Sequence, residues 1–154
     1  MIELVQVETA AHLREVRQLF TEYTEDLGFD LDFQDYDDEI THLPGAYTPP
    51  SGRLYIALYD GAIAGCIALR KLDETTCEMK RMYVRTGYRR KGVGKDMALR
   101  VIDDARRIGY SKMRLDTIDT MDAAIALYRH LGFNPIPPYR YNPMKGAYFL
   151  ELVL

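Results

Sequence analysis

Acidic residues are missing between Met79 and Lys95, cysteine is scarce throughout, and no apolar run is long enough to cross a membrane. Each absence excludes something. Cys66 and Cys77 are the only cysteines, both in apolar strand-like segments, and they read as reduced core thiols of a cytoplasmic protein. His12, His42 and His130 are scattered and have no metal-ligand spacing with those cysteines, so no metal site is expected. The Met1-Ile2-Glu3 start lacks the basic-then-apolar form of a signal peptide, and neither a membrane nor a secretory route is expected. The net charge of −3 argues against nucleic acid as a partner of the whole surface. What remains, 154 residues with 47% apolar and 28% charged content, fits a single globular domain spanning residues 1–154.

The stretch without acids carries seven basic residues: Lys80, Arg81, Arg85, Arg89, Arg90, Lys91 and Lys95. Within it, Met82-Tyr83-Val84 reads as a strand end, Arg89-Arg90-Lys91-Gly92-Val93-Gly94 as a glycine-rich loop, and Lys95 onward as a helix. A helix start offers unpaired N–H groups and the positive end of the macrodipole, and glycines let an anion approach that backbone. The loop is not a P-loop: Gly87 and Gly92 have the spacing, but Val93-Gly94 follow where Lys and Ser/Thr are needed. It is not a dinucleotide fingerprint either, because Gly92-Val93-Gly94-Lys95-Asp96-Met97 lacks the third glycine.

The rest of the chain gives an element order. Ile2 to Val7 reads as a short strand. Leu13, Val16, Phe20, Tyr23 and Leu27 form the stripe of a helix ending near Gly28, and the acidic segment Asp30 to Leu43 reads as a second short helix. Leu54 to Tyr59 and Ile63 to Leu69 flank Asp60-Gly61 as a hairpin, and a strand from Thr76 to Val84 follows. Met97, Val101, Ala105 and Ile108 mark the clearest helix, closed by Gly109, with Asp96–Arg100 and Asp103–Arg107 as i,i+4 pairs. Lys112 to Ile118, Ala123 to Leu131 and Tyr148 to Leu154 are strand, helix and strand, with Thr120 placed to cap the late helix. Hairpins followed by strand–helix–strand–helix–strand predict an α+β fold, with the strand–loop–helix–strand unit as a parallel crossover.

Arg-x-x-Gly-x-Gly, carried by Arg89, Gly92 and Gly94, closely resembles the acyl-coenzyme A pyrophosphate loop of the GNAT acetyltransferase superfamily. Ala124 to Phe133, with Tyr128 followed by Leu131-Gly132-Phe133, is similar to the late helix of the same superfamily. The resemblance implies the GNAT fold, a central mixed and mostly antiparallel sheet flanked by helices in an α/β/α arrangement, with acetyl-CoA as co-substrate. It also implies roles for residues. Met82, Tyr83 and Val84 line the pantetheine arm, with the Met82 amide polarising the thioester carbonyl. Arg89, Arg90, Lys91, Gly92, Val93, Gly94 and Lys95 hold the pyrophosphate. Tyr128 protonates the departing thiolate; the alternative is that its ring only extends an apolar helix face. Glu78, upstream of Arg89, stands where some members place a general base, a role that requires a raised pKa. The competing reading is a strand ion pair. The family's asparagine seven positions before the late tyrosine is replaced here by Met121.

The acceptor is less legible. Asp30, Asp32, Asp35, Asp37, Asp38 and Glu39 suit a cationic acceptor or simply a solvated helix face. Tyr139, Tyr141 and Asn142, in a Pro-stiffened loop, are candidates for the acceptor pocket, for a surface turn or for a homodimer contact. The expected activity is direct acetyl transfer from acetyl-CoA to a primary amine of a small molecule, without a nucleophilic Cys or Ser triad. The alternatives are a non-catalytic acyl-CoA sensor or interaction module, and an acetyltransferase of a protein or peptide amine.

Overall fold

The computed structural model describes residues 1–27 and 36–154. In chain order the elements are β1 (Ile2–Gln6), α1 (Ala10–Leu27), α2 (Tyr36–Thr41), β2 (Arg53–Tyr59), β3 (Ala62–Lys71), β4 (Thr76–Val84), α3 (Val93–Ile108), β5 (Lys112–Ile118), α4 (Asp122–His130), β6 (Asn134–Pro135) and β7 (Ala147–Val153). Gly28 and the segment Asp30 to Asp35, read above as a helix end and the start of the second helix, lie outside the described residues; the described part of that second helix is α2.

One seven-stranded sheet runs β1-β2-β3-β4-β5-β7-β6, antiparallel throughout except for the parallel β4–β5 pair. This is the mixed, mostly antiparallel sheet the sequence led us to expect. Two-residue alternation divides its central strands between two apolar layers. Tyr55, Ala57, Ile67 and Leu69 face α3, whose buried stripe is Val93, Met97, Ala98, Val101, Ile102 and Ala105. Leu54, Ile56, Cys66 and Ala68 face Val16, Leu19 and Phe20 of α1. The β2–β3 turn has positive φ at Asp60 (49°) and Gly61 (86°), the geometry that matches strand twist in a two-residue hairpin.

Two local expectations need correcting, and one short element is new. Arg107 pairs with Asp103 at 3.1 Å, but Arg100 turns from Asp96 toward Asp104, because Asp104 is buried and accepts from the Tyr55 hydroxyl while Arg100 lies over the Tyr55 ring. The N-cap of α4 is Met121, with no side-chain cap, so Thr120 does not fill that role. The two-residue strand β6, paired with Glu151 and Leu150, has no counterpart in the pattern reading.

Candidate active site

The site begins with a β-bulge. Opposite Ile67 of β3, strand β4 places both Arg81 and Met82, since Ala68 pairs with Lys80 and Cys66 with Tyr83. Arg81 takes φ 57° to do this. Its guanidinium, buried, donates to both Glu39 carboxylate oxygens at 2.9 Å and so holds α2 against the bulge. The extra residue shifts the alternation by one. Cys77 and Met79 face the α3 layer before the bulge, Met82 and Val84 face it after, and Tyr83 turns to the α1 layer.

Next to the bulge the sheet forks. Strands β4 and β5 pair only over Thr76–Glu78 and Lys112–Arg114; beyond that β4 stays with β3 and β5 with β7. The far end of β4 is therefore an open edge. The Arg85 N–H donates to Ala64 O of β3 at 2.8 Å, so alternation aims the Tyr83 backbone toward β3 and the Met82 and Val84 backbone into the fork. Val84 O accepts there from Arg89 Nε at 2.9 Å.

A cleft of about 650 Å³ runs from this edge to the start of α3. Met82, Tyr83, Val84, Arg89, Arg90, Gly92, Val93, Gly94 and Lys95 line it, faced by Met121, Ala124 and Leu127 of the α4 side. Gly92 caps α3 at φ 84°, a conformation that glycine adopts without strain, and no side chain caps the helix. The first amides of α3 thus have no partner within the helix. Lys91 alone of the expected loop residues points elsewhere, over the ring of Tyr59 at 5.5 Å, and is not part of the cleft lining. At the cleft mouth Arg89 donates to Asp26 of α1 at 2.9 Å.

Where the cleft reaches the fork it adjoins a smaller wedge of about 50 Å³, lined by Tyr23, Lys80, Arg81, Met82, Asp116, Thr117, Tyr128 and Asn142 with apolar neighbours. Met82, Met121, Tyr23 and Leu27 belong to both spaces. Tyr128 is 6% exposed, packs against Phe133 and donates its hydroxyl to Met82 Sδ at 3.9 Å, a weak acceptor. Burial pushes the phenol well above its ordinary pKa, so it is protonated at neutral pH. The arrangement is a buried O–H, without a strong acceptor among the described residues, beside Met82 at the open strand edge.

Glu78 occupies the apex of the fork and is fully buried. Across four strands, Arg70, Glu78, Arg114 and Glu151 are direct neighbours in register, alternating in sign. Arg70 donates to Glu78 and Arg114 to Glu151, each at 2.8 Å. Arg140 and the Tyr139 hydroxyl, the latter at 2.6 Å, also donate to Glu78, and Lys80 Nζ lies 3.9 Å away. Burial pushes the Glu78 carboxyl up, but Lys80, Arg70 and Arg140 with the Tyr139 hydrogen bond outweigh it, leaving the pKa lowered. A general base needs the opposite shift. The raised pKa that a base role would require is thus not found at Glu78; the residue has the surroundings of the competing reading, an ion pair. Lys80 pays for the same crowding of cations: burial first, then Arg81, push its amine down to about 7.

Of the proline-rich loop, Asn142 lines the wedge, Tyr139 is engaged with Glu78 and Phe149, and Tyr141 is 75% exposed and lines neither space. Two contributors escaped the pattern reading. The helix periodicity marks Tyr23 only as core, though it stacks on Tyr83 and lines both spaces. The pattern marks Asp116 only as part of a strand; the signal in the sequence is its place after Lys112 and Arg114, each two residues apart on one face of β5.

The comparisons agree with this geometry. Residues 13–133 match the Acetyltransferase (GNAT) family. An uncharacterised N-acetyltransferase of Schizosaccharomyces pombe is 35% identical over 153 residues, covering 98% of this chain and 94% of that protein. Among solved structures, an acetyltransferase from Streptococcus agalactiae superposes with a TM-score of 0.83 at 23% identity, covering 99% of this chain and 98% of that one. The PaiA N-acetyltransferase from Thermoplasma acidophilum, solved with coenzyme A, gives a TM-score of 0.75 at 14% identity over 100% of this chain and 99% of that one. A forked sheet of this topology, a matching sequence profile over most of the chain and a full-length relative of this kind place the chain in the GNAT acetyltransferase family.

Proposed function

We propose that this protein transfers the acetyl group of acetyl-CoA directly to a primary amine of a small molecule, in a complex holding both substrates. The observation that carries the reading is the junction of the two spaces at Met82, with the Tyr128 hydroxyl beside it. The cleft fits coenzyme A: the amides at the start of α3, with Gly92 and Gly94, receive the pyrophosphate, and the open edge at Met82 and Val84 receives the pantetheine amides. The Met82 N–H faces the thioester carbonyl oxygen and stabilises the charge that develops on it. The amine attacks as the neutral form, its ammonium proton passing to solvent, and forms the C–N bond. As the C–S bond breaks, Tyr128 gives its proton to the sulfur, and the second proton that the nitrogen sheds returns through water to the Tyr128 oxygen.

Direct transfer is supported by the cysteines. Cys66 and Cys77 are both buried, and burial pushes both thiols up, so neither is a thiolate able to accept the acetyl group. A small acceptor is supported by the size of the wedge. The test is thiol release from acetyl-CoA across a panel of primary amines, with calorimetric binding of acetyl-CoA and ADP alongside. Amine-dependent release establishes the activity. Saturable binding that requires the pantetheine arm, without release on any amine or amine-bearing peptide, replaces it with a non-catalytic acyl-CoA sensor.

A further inference from the structure

The wedge has walls of two kinds. On the β4 side stand Lys80 and Arg81; on the β5 side stands Asp116, the one carboxylate among the described residues lining the space. The other carboxylates around the fork are held by cations: Glu39 by Arg81, Glu78 by Arg70 and Arg140, and Glu151 by Arg114. Asp116 has no ion pair among the described residues. Its hydrogen-bond partner is a neutral amide, Asn142 Nδ2 at 3.1 Å. Asn142 is itself fixed, since its Oδ1 accepts the Met144 N–H at 3.0 Å, which leaves the amide nitrogen turned to Asp116.

We infer that Asp116 is the docking group for the acceptor's ammonium, and that Asn142 positions it. An ionised carboxylate has about four acceptor sites. Asn142 fills one, and the remaining sites match the three N–H donors of R–NH3⁺. Three cations bear on this field: Arg140, which Asp116 also stabilises, donates to Glu78, and the two cations of the wedge do not cancel it. Arg81 is neutralised by its two-point contact with Glu39, and Lys80 lies 3.9 Å from Glu78 with its amine pushed down to about 7. Asp116 sits across the fork from the open edge at Met82, so a nitrogen held on the carboxylate is presented to the strand edge that receives the thioester. No bond forms at Asp116; its part is charge, hydrogen bonding and orientation. The inference rests on the amine-acetyltransferase reading above and adds the residue that recognises the amine.

The test uses coenzyme A thioethers that carry their own ammonium. S-aminoalkyl-CoA compounds with two, three or four methylenes are compared with S-alkyl-CoA compounds of the same length, by calorimetry, on wild type, Asp116→Asn and Asn142→Ala. Wild type is expected to bind at least one ammonium compound about tenfold more tightly than its alkyl counterpart, the effect of a charged hydrogen bond. Asp116→Asn should bind the two alike, and Asn142→Ala should fall between, with the alkyl compounds reporting an intact fold. Equal binding of both series by wild type at every length overturns the role of Asp116 and leaves the coenzyme A site standing. A preference that survives in Asp116→Asn overturns it as well. Failure of both series to bind wild type removes the acetyltransferase reading and this inference with it.

Discussion

Asp26 and Arg89 face each other across the mouth of the cleft, Oδ2 to guanidinium at 2.9 Å, each half exposed. The pair joins α1 to the glycine-rich loop, and its acidic member lines the cleft beside the loop's cations, which the proposed binding mode assigns to the pyrophosphate. An exposed pair of this kind contributes only about 0–1 kcal/mol. It is therefore displaced at small cost, and its carboxylate repels the incoming anion. Asp26→Ala is expected to tighten acetyl-CoA binding by roughly two- to fivefold, corresponding to that range of energies. Salt should narrow the difference. Calorimetry at two ionic strengths checks it, and weaker binding in the variant would mean that Asp26 helps the loop instead of competing with its ligand.

Tyr128 separates catalysis from packing. Its hydroxyl gives up only a long contact to a thioether, so Tyr128→Phe keeps the ring on Phe133 and should change stability by less than about 1 kcal/mol. Loss of a general acid lowers turnover by about 10²-fold or more. The expected result is a fall in kcat of that order with acetyl-CoA affinity unchanged. Unaltered turnover would leave Tyr128 as part of the apolar face of α4.

How far the sequence could be read depends on which interactions are local. Strand limits, the α3 stripe and the Asp60-Gly61 turn follow from periodicity and turn chemistry, and the structure places them within a residue or two. The loop before α3 was legible because its backbone requirement is written in glycine. The bulge at Arg81 was not, because it arises from the register between β3 and β4 and uses an arginine where a glycine would have announced it. Glu78 shows the same limit. Lys80, two residues along, signals in the sequence that cations lower its pKa, but Arg70, Arg114 and Arg140 come from three other segments and could not be read along the chain. Asp116 gains meaning only from the parting of β4 and β5.

The Glu78 hub makes a prediction that distinguishes an ion pair from a base. Its pKa is lowered in the folded state, so the folded protein binds that proton less readily than the unfolded chain. The stabilisation is complete above the unfolded value of about 4.3 and is lost as pH falls through the folded value. Glu78→Gln leaves buried cations without their partner, at a cost of about 3 kcal/mol near neutrality. Urea unfolding should show that gap closing below about pH 4, while the acid limb of the pH–rate profile stays in place. A displaced limb with little loss of stability would make Glu78 the base.

Glycine substitutions in the loop should divide by backbone conformation. Gly92 has φ 84°, so any side chain there is strained before a ligand is considered. Gly94 is in helical backbone, and a Cβ added to it meets Leu127, Val84 and Met82 at 3.7–3.9 Å, ordinary contact distances. Gly94→Ala should therefore fold normally and weaken acetyl-CoA binding modestly, by crowding the cleft. Gly94→Glu adds a negative charge at the start of α3, where the pyrophosphate is expected, and should abolish measurable binding while the unfolding midpoint stays close to that of Gly94→Ala. Gly92→Glu should lose binding and also about 1 kcal/mol of stability. Thermal unfolding alongside calorimetry checks the order, and full affinity in Gly94→Glu would show that the anion does not sit on this helix terminus.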